Sequence, residues 1–312
     1  MPDRLATYAA ALIFDWLSER SGRSWALERA VEGDVPVFVA RADGPSAAVA
    51  VAPLWEAEAD AAAEDARQMM GERLSAGNVR GPHLLWVPPR AAVPSHEPDA
   101  SDFVQRVQFA SASLSPGGRA EVELPVMVQL AKLRDEGGYA SVTGGLARWW
   151  TSITERVNGT FHVDAQRMRR APIAAERRDA LFDHIGQMSR GLAKGQAAEF
   201  ETVEAWTVQK LREEPLGETG FAIAQAPPGI DPSDGTLQRR LVRRRLRDAA
   251  AALEGVATDV KGVGMVAIFE YAEHENIGSF VKSLDPALYA QLGLVCAVVD
   301  GEVRPIFGPR GI

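Results

Sequence analysis

One cysteine, Cys296, is all the chain offers for thiol chemistry. A disulfide framework and any cysteine-based metal site are thereby excluded, and the apolar run around it, "LGLVCAVVDG", marks it as a small buried hydrophobe. No apolar run reaches the roughly 18–20 residues that a membrane helix needs. The opening "MPDRLATYAAALIFDWLSER" has neither the basic start nor the small-residue cleavage site of a secretory signal, so a cytoplasmic location without a membrane partner is expected. Positive charge is in deficit: 34 Lys and Arg against 42 Asp and Glu leave a net charge of -8. That balance argues against a surface built throughout to hold phosphate backbones and leaves room only for local basic patches. Also missing are a Gly-x-Ser-x-Gly elbow, a His-Glu-x-x-His helix and a heptad seam, which removes the well-marked hydrolase families. No cofactor and no metal site is expected.

What is present is an ordinary globular balance, 46% hydrophobic and 24% charged, over 312 residues, enough for two domains or one core with a large elaboration. Leu5, Tyr8, Ala9, Leu12, Ile13 and Leu17 recur at helical spacing, so an amphipathic helix opens the chain. Three short strands follow. "SWALERAV" ends at the turn Glu32 to Asp34, "VPVFVARA" ends at Asp43-Gly44-Pro45, and "AAVAVAPLW" closes the meander. An acidic helical run, "EAEADAAAEDARQMMGERLSA", then precedes a buried strand, "HLLWVPP".

This order of helix, three-stranded meander, helix and strand resembles the core of the restriction-endonuclease-like, or PD-(D/E)XK, nuclease superfamily. In that family an acidic residue near the second strand and an (Asp/Glu)-x-Lys on the third hold a metal ion and a water. Aligned by alternation, Pro36-Val37 stands here where Pro-Asp would stand, and Ala50-Val51-Ala52 where Glu-x-Lys would stand. Alanine and valine supply neither a hard oxygen ligand nor a group to activate water. The resemblance therefore implies a scaffold without its chemistry. Asp34, Asp43 and Glu56 fall at strand ends or turns and read as solvated turn acids.

A proline-rich connector, "PPRAAVPSHEPDASD", places a boundary between a module over 1–95 and a larger α/β region over 96–312. Downstream, "RAEVELPVMVQLAKL" reads as a long strand with Pro125 at an edge or bulge, and a hairpin turn over Asp135 to Gly138 leads into "YASVTGG". "LARWWTSITERV" reads as a helix and "TFHVDA" as a return strand. The last third alternates strand and helix, "GMVAIFEY", "GSFVKSLDPALYAQL" and "GLVCAVVDG", with parallel pairing expected among the final strands. The fold class is thus mixed α/β.

Four constellations carry the functional reading. Gly144 and Gly145 stand where a strand meets a helix, with Arg148, Trp149 and Arg156 beyond them, a pattern that could grip a phosphate and stack a base. A basic belt holds Arg167, Arg169, Arg170, Arg177 and Arg178. "LQRRLVRRRLRD" places Arg239, Arg240, Arg243, Arg244, Arg245 and Arg247 on one helix, covering more than one face. "FEYAEHENIG" gathers Glu270, Glu273, His274 and Glu275 at a strand end, and His162 with Asp164 is the other pair suited to acid-base work.

Three readings follow. The leading one is a non-catalytic binding or accessory component of a larger assembly that handles nucleic acid, with the two arginine segments as contacts. The second is an enzyme whose site lies at Glu270 and His274 or at His162 and Asp164. The third is a protein–protein scaffold whose arginine helix docks on an acidic protein surface.

Overall fold

The computed structural model describes residues 3–56, 61–227, 229–230, 234–267 and 271–308. In chain order its main elements are α1 (Arg4–Ser21), β1 (Ala26–Val31), β2 (Val37–Arg41), β3 (Ser46–Pro53), α2 (Ala61–Ser75), β4 (Pro82–Trp86), α3 (Asp99–Ala112), β5 (Arg119–Arg134) and β6 (Gly138–Val142). They continue with α4 (Trp150–Thr154), β7 (Gly159–Asp164), α5 (Ala175–Gly191), β8 (Ala197–Lys210), β9 (Gly220–Ala224), α6 (Gly235–Ala252), β10 (Val260–Val266), α7 (Tyr271–Lys282), β11 (Leu294–Val299) and β12 (Glu302–Phe307). This is a mixed α/β fold. Among the described residues no helix is long and apolar enough to cross a membrane.

Contacts divide the chain into two units. The smaller is Glu121–Trp206, and the larger joins the described residues up to Ala120 with those from Thr207 onward. The boundary expected at residues 95 and 96 falls inside the larger unit. There the proline-rich connector leads into α3, which packs on α2. Prolines mark an irregular stretch of chain, which can lie within one unit, whereas the boundaries observed here fall inside the regular strands β5 and β8.

In the larger unit a six-stranded sheet has the order β1-β2-β3-β10-β11-β12. The meander pairs antiparallel, with Val37 opposite Ala50, and β3 runs parallel to β10, with Ala50 opposite Val263. β10 and β11 are parallel, and β12 turns back antiparallel. β4 does not join this sheet. It lies between the end of β8 and β9, antiparallel to the first and parallel to the second. The sequence order placed the next helix and strand at α2 and β4, but β4 lies outside this sheet; the strand beside β3 is β10, reached only after α6.

Strand alternation sorts β3 between two cores. Ala47, Val49 and Val51 face α1, where Tyr8, Ile13 and Leu17 are fully or almost fully buried. Ala48, Ala50 and Ala52 face α6 and pack with Leu241, Val242 and Leu246. The three alanines let the helix approach the sheet closely. On the opposite side of β10, Gly264 does the same for α1, since a Cβ there would run into Ile13 Cδ1.

Asp15 interrupts the apolar sequence of α1. Burial raises its pKa from 3.8 to about 6, against the lowering effect of Arg212 and with the help of Glu213 and Glu19. A carboxyl whose folded pKa exceeds its unfolded value binds its proton more tightly when folded. Stability is therefore full below about pH 4 and falls as pH rises through about 6, by about 1–2 kcal/mol after solvent screening of this partly exposed group. Asp15→Asn removes the charge, so the variant should melt well above the wild type at about pH 8, with the gap closing near pH 4. Thermal unfolding at the two pH values measures this, and an equal gap at both would contradict it.

The smaller unit carries the order β6-β7-β5-β8. Here the hairpin expected between β5 and β6 is not formed. β7 lies between them, antiparallel to β5 and parallel to β6. The turn after β5 admits either partner, and the crossover through α4 supplies the connection that a parallel pair requires.

Candidate functional site

A cleft of the larger unit, about 1150 Å³, opens at the carboxyl end of β3 and the start of β2. Its walls include Glu32, Asp34, Pro53, Glu56, Arg244 and Asp248. Open α/β sheets place ligands outside the carboxyl ends of parallel strands, and β3 and β10 form such a pair. The positions aligned with nuclease chemistry lie beside this cleft but point into the core: Val37, Ala50 and Ala52 are 2%, 0% and 3% exposed.

Helix α6 flanks the cleft. Its start is capped by Asp234, whose carboxylate accepts from Thr236 N at 2.9 Å and Leu237 N at 3.1 Å. At about 100° per residue, Arg239, Arg243, Arg247, Arg240 and Arg244 fall in that order across an arc of about 140°. All five are exposed, while Leu241, Val242, Leu246 and Ala249 fill the opposite side. The arginines therefore form one stripe, where the sequence suggested more than one face. The sixth explains the discrepancy. Arg245 lies off the stripe, donates to Pro53 O at 2.9 Å and Trp55 O at 2.8 Å, and ties α6 to the chain leaving β3.

Acids engage the stripe unevenly. Glu56 lies 3.2 Å from Arg244 and 4.0 Å from Arg240, and Asp248 lies 3.7 Å from Arg244. Arg239 donates to Ser283 Oγ at 2.9 Å and stands 5.7 Å over the Phe280 ring. Among the described residues no carboxylate pairs with Arg243 or Arg247. Glu56, taken from sequence as a turn acid, is thus a partner of two of the candidate arginines, a role that only the long-range packing of α6 on β3 could disclose.

The other arginine segment belongs to the smaller unit, where several of its members have internal tasks. Gly144 has φ 62° and abuts the Ala165 carbonyl, while a Cβ on Gly145 would stand 2.7 Å from the carbonyl carbon of Arg169. The Gly145 N–H donates to Met168 O at 2.9 Å, so these glycines serve close backbone packing and that amide is already used. Arg156 is held by Asp183 at 2.8 Å, Asp179 at 3.6 Å and Ser152 O at 2.8 Å. Arg170 is buried. The Arg169 N–H donates at 2.7 Å to the buried carboxylate of Glu204, whose pKa burial raises, and the Arg169 guanidinium donates to Gln166 O.

Trp149 is half-buried against Phe182, with Arg178 4.2 Å and Arg148 5.0 Å from its ring centroid. The aromatic face left to solvent belongs to its neighbour. Trp150 is 48% exposed and stands 6.3 Å from Tyr139, itself 51% exposed. The doublet Trp149-Trp150 alone could not show which ring turns inward.

His162 and Asp164 share one face of β7, but the carboxylate serves a turn, accepting from Thr143 Oγ1 at 3.1 Å and Gln166 N at 3.0 Å. Among the described residues no hydrogen bond joins the two. Glu270 lies outside the described residues, as do the side chains of Glu273, His274 and Glu275. Comparison of the chain with family models, with curated proteins and with solved structures returns no match.

Proposed function

We propose that this protein is a non-catalytic binding component whose ligand is nucleic acid, gripped by the arginine stripe of α6. The observation that carries the reading is the stripe itself: five exposed guanidinium groups on one helix face, two of them without a carboxylate partner among the described residues. Like charges at i, i+4 spacing, such as Arg239 with Arg243 and Arg243 with Arg247, each cost a helix about 0.2–0.5 kcal/mol. Phosphates relieve that repulsion. Arginine also suits the task because its planar fork matches phosphate oxygens.

The resemblance of the opening helix and meander to a restriction-endonuclease-like core favours a nucleic-acid ligand, while the buried Val37, Ala50 and Ala52 favour binding without hydrolysis. The test is fluorescence anisotropy of labelled duplex and single-stranded oligonucleotides over a salt series. Affinity should fall steeply with salt, with a logarithmic slope of about -0.9 per duplex phosphate neutralised. Flat binding at low salt would refute the proposal.

Glu56 favours a second reading, in which an acidic protein surface takes the stripe, because a carboxylate already holds Arg240 and Arg244 within the chain. Polyglutamate as the competitor separates the two, since it should displace oligonucleotide weakly under the first reading and match its affinity under the second. Under either reading Glu56 competes with the ligand. Glu56→Gln should tighten oligonucleotide binding about three- to tenfold at low salt, as expected from releasing two exposed ion pairs. Unchanged anisotropy titrations would show that Glu56 does not compete.

A further inference from the structure

A second recess of the larger unit, about 340 Å³, lies between α1, the residues preceding and opening β5, the end of β8 and the turn into β12. Its charged groups are Asp15, Glu19, Arg119, Arg212 and Glu302. Both cations are committed. Arg212 pairs with Glu19, and Arg119 donates to Glu302 Oε1 at 3.1 Å from each terminal nitrogen and to Asp300 O at 3.1 Å. Those two ion pairs leave one formal charge without a hydrogen-bonded partner among the described residues, the carboxylate of Asp15.

A neutral group points the same way. Gln209 lines the recess at 5% exposure, and its Oε1 has no hydrogen-bond donor among the described residues. It rests against Gly301, where a Cβ would collide with that oxygen. A buried amide oxygen without a donor is costly, and most such groups in folded proteins are satisfied by protein or by ordered water, whose place a ligand donor can take. Trp16, an aromatic wall of the recess, carries the Arg20 guanidinium 5.6 Å from its ring centroid, which shows that its face accepts a cation.

We infer that this recess binds a small organic cation with N–H donors, an alkylguanidinium or primary ammonium, that donates to Asp15 and Gln209. The recess is near the lower end of the size range of small-molecule sites. Arg119 and Arg212 are held by Glu302 and Glu19, so the charges lining the recess sum to one negative, which the ligand offsets. Binding removes the penalty of a half-buried carboxylate, and it weakens as Asp15 takes up a proton in acid. The groups around Asp15 that modulate this are Arg212, Glu213 and Glu19.

The experiment uses the full chain and ethylguanidinium as the probe, followed by NMR of the tryptophan indole and glutamine amide protons. Saturable shifts of the Trp16 indole and the Gln209 amide are expected at about pH 8, with affinity falling about tenfold or more in Asp15→Asn and again near pH 5. Tetramethylammonium carries the charge without N–H groups, so it should leave the Gln209 amide unshifted. Gln209→Leu should weaken binding while keeping the apolar packing. Absence of saturable shifts, equal affinity in Asp15→Asn, or a tetramethylammonium response equal to that of ethylguanidinium overturns the inference. Asp15→Asn is expected to be the more stable protein at about pH 8, so lost binding there cannot be put down to unfolding.

Discussion

Replacing Arg243 and Arg247 together by glutamate should weaken oligonucleotide binding roughly a hundredfold at moderate salt and shrink the logarithmic salt slope by about two. These two positions are chosen because no carboxylate among the described residues holds them, so the substitutions break no observed ion pair. Both side chains are exposed, and the packing of Leu241, Val242 and Leu246 beneath them is untouched. The folded protein should therefore survive, which circular dichroism and thermal unfolding can verify. A control is needed for the change in net charge. Arg41→Glu, at the exposed end of the otherwise buried β2 and away from the stripe, alters the charge in the same sense at the cost of one exposed ion pair with Glu28, and should leave the slope nearly unchanged. If it weakens binding as much per substitution as the α6 pair, attraction is diffuse and the stripe is not the contact.

Writing nuclease residues back into the meander should destroy the fold before it creates activity. Ala50 is fully buried opposite Val37 and Val263 and beneath α6. Ala50→Glu forces extra volume into a packed core, at about 1–3 kcal/mol, and an unpaired charge into an apolar one, at several kcal/mol more. A loss of at least about 4 kcal/mol is expected, a large share of the stability of an ordinary domain. Urea unfolding measures it, with the triple variant Val37→Asp, Ala50→Glu and Ala52→Lys failing to fold at all. A triple variant that remains folded and cleaves DNA in the presence of magnesium would show that this face is open to solvent and substrate.

Local rules carried the elements a long way. The helical spacing of Leu5 to Leu17, the turns at Glu32 and Asp43, and the run "LVCAVV" each identify the structure they form, because their periodicity is set by nearest neighbours. Pairing was not legible to the same degree. "HLLWV" and "GMVAI" are both short apolar runs after a helix, and nothing within either says that the second, not the first, lies beside β3. The arginine stripe was visible as composition, and its single face follows once Arg245 is known to be tied to Pro53 and Trp55. Asp15 had a faint signal as a charge inside "LIFDWL". Gln209 had none, since an amide in a strand looks solvent-facing until the neighbouring turn through Gly301 covers it.

The partner of β3 in the large sheet emerges late. During synthesis β3 has its antiparallel neighbour β2 within a few residues, but its other edge waits for β10, some two hundred positions further along the chain. The stretch Glu121–Trp206 is complete long before then and can acquire its own core while the ribosome is still extending the chain. The apolar edge of β3 is meanwhile an open template for wrong pairing, of the kind that slows folding and invites aggregation. Expression of this protein thus has a vulnerable interval whose length is set by translation speed across the intervening segment, and slow passage there favours capture of the exposed strand by chaperones or by other nascent chains.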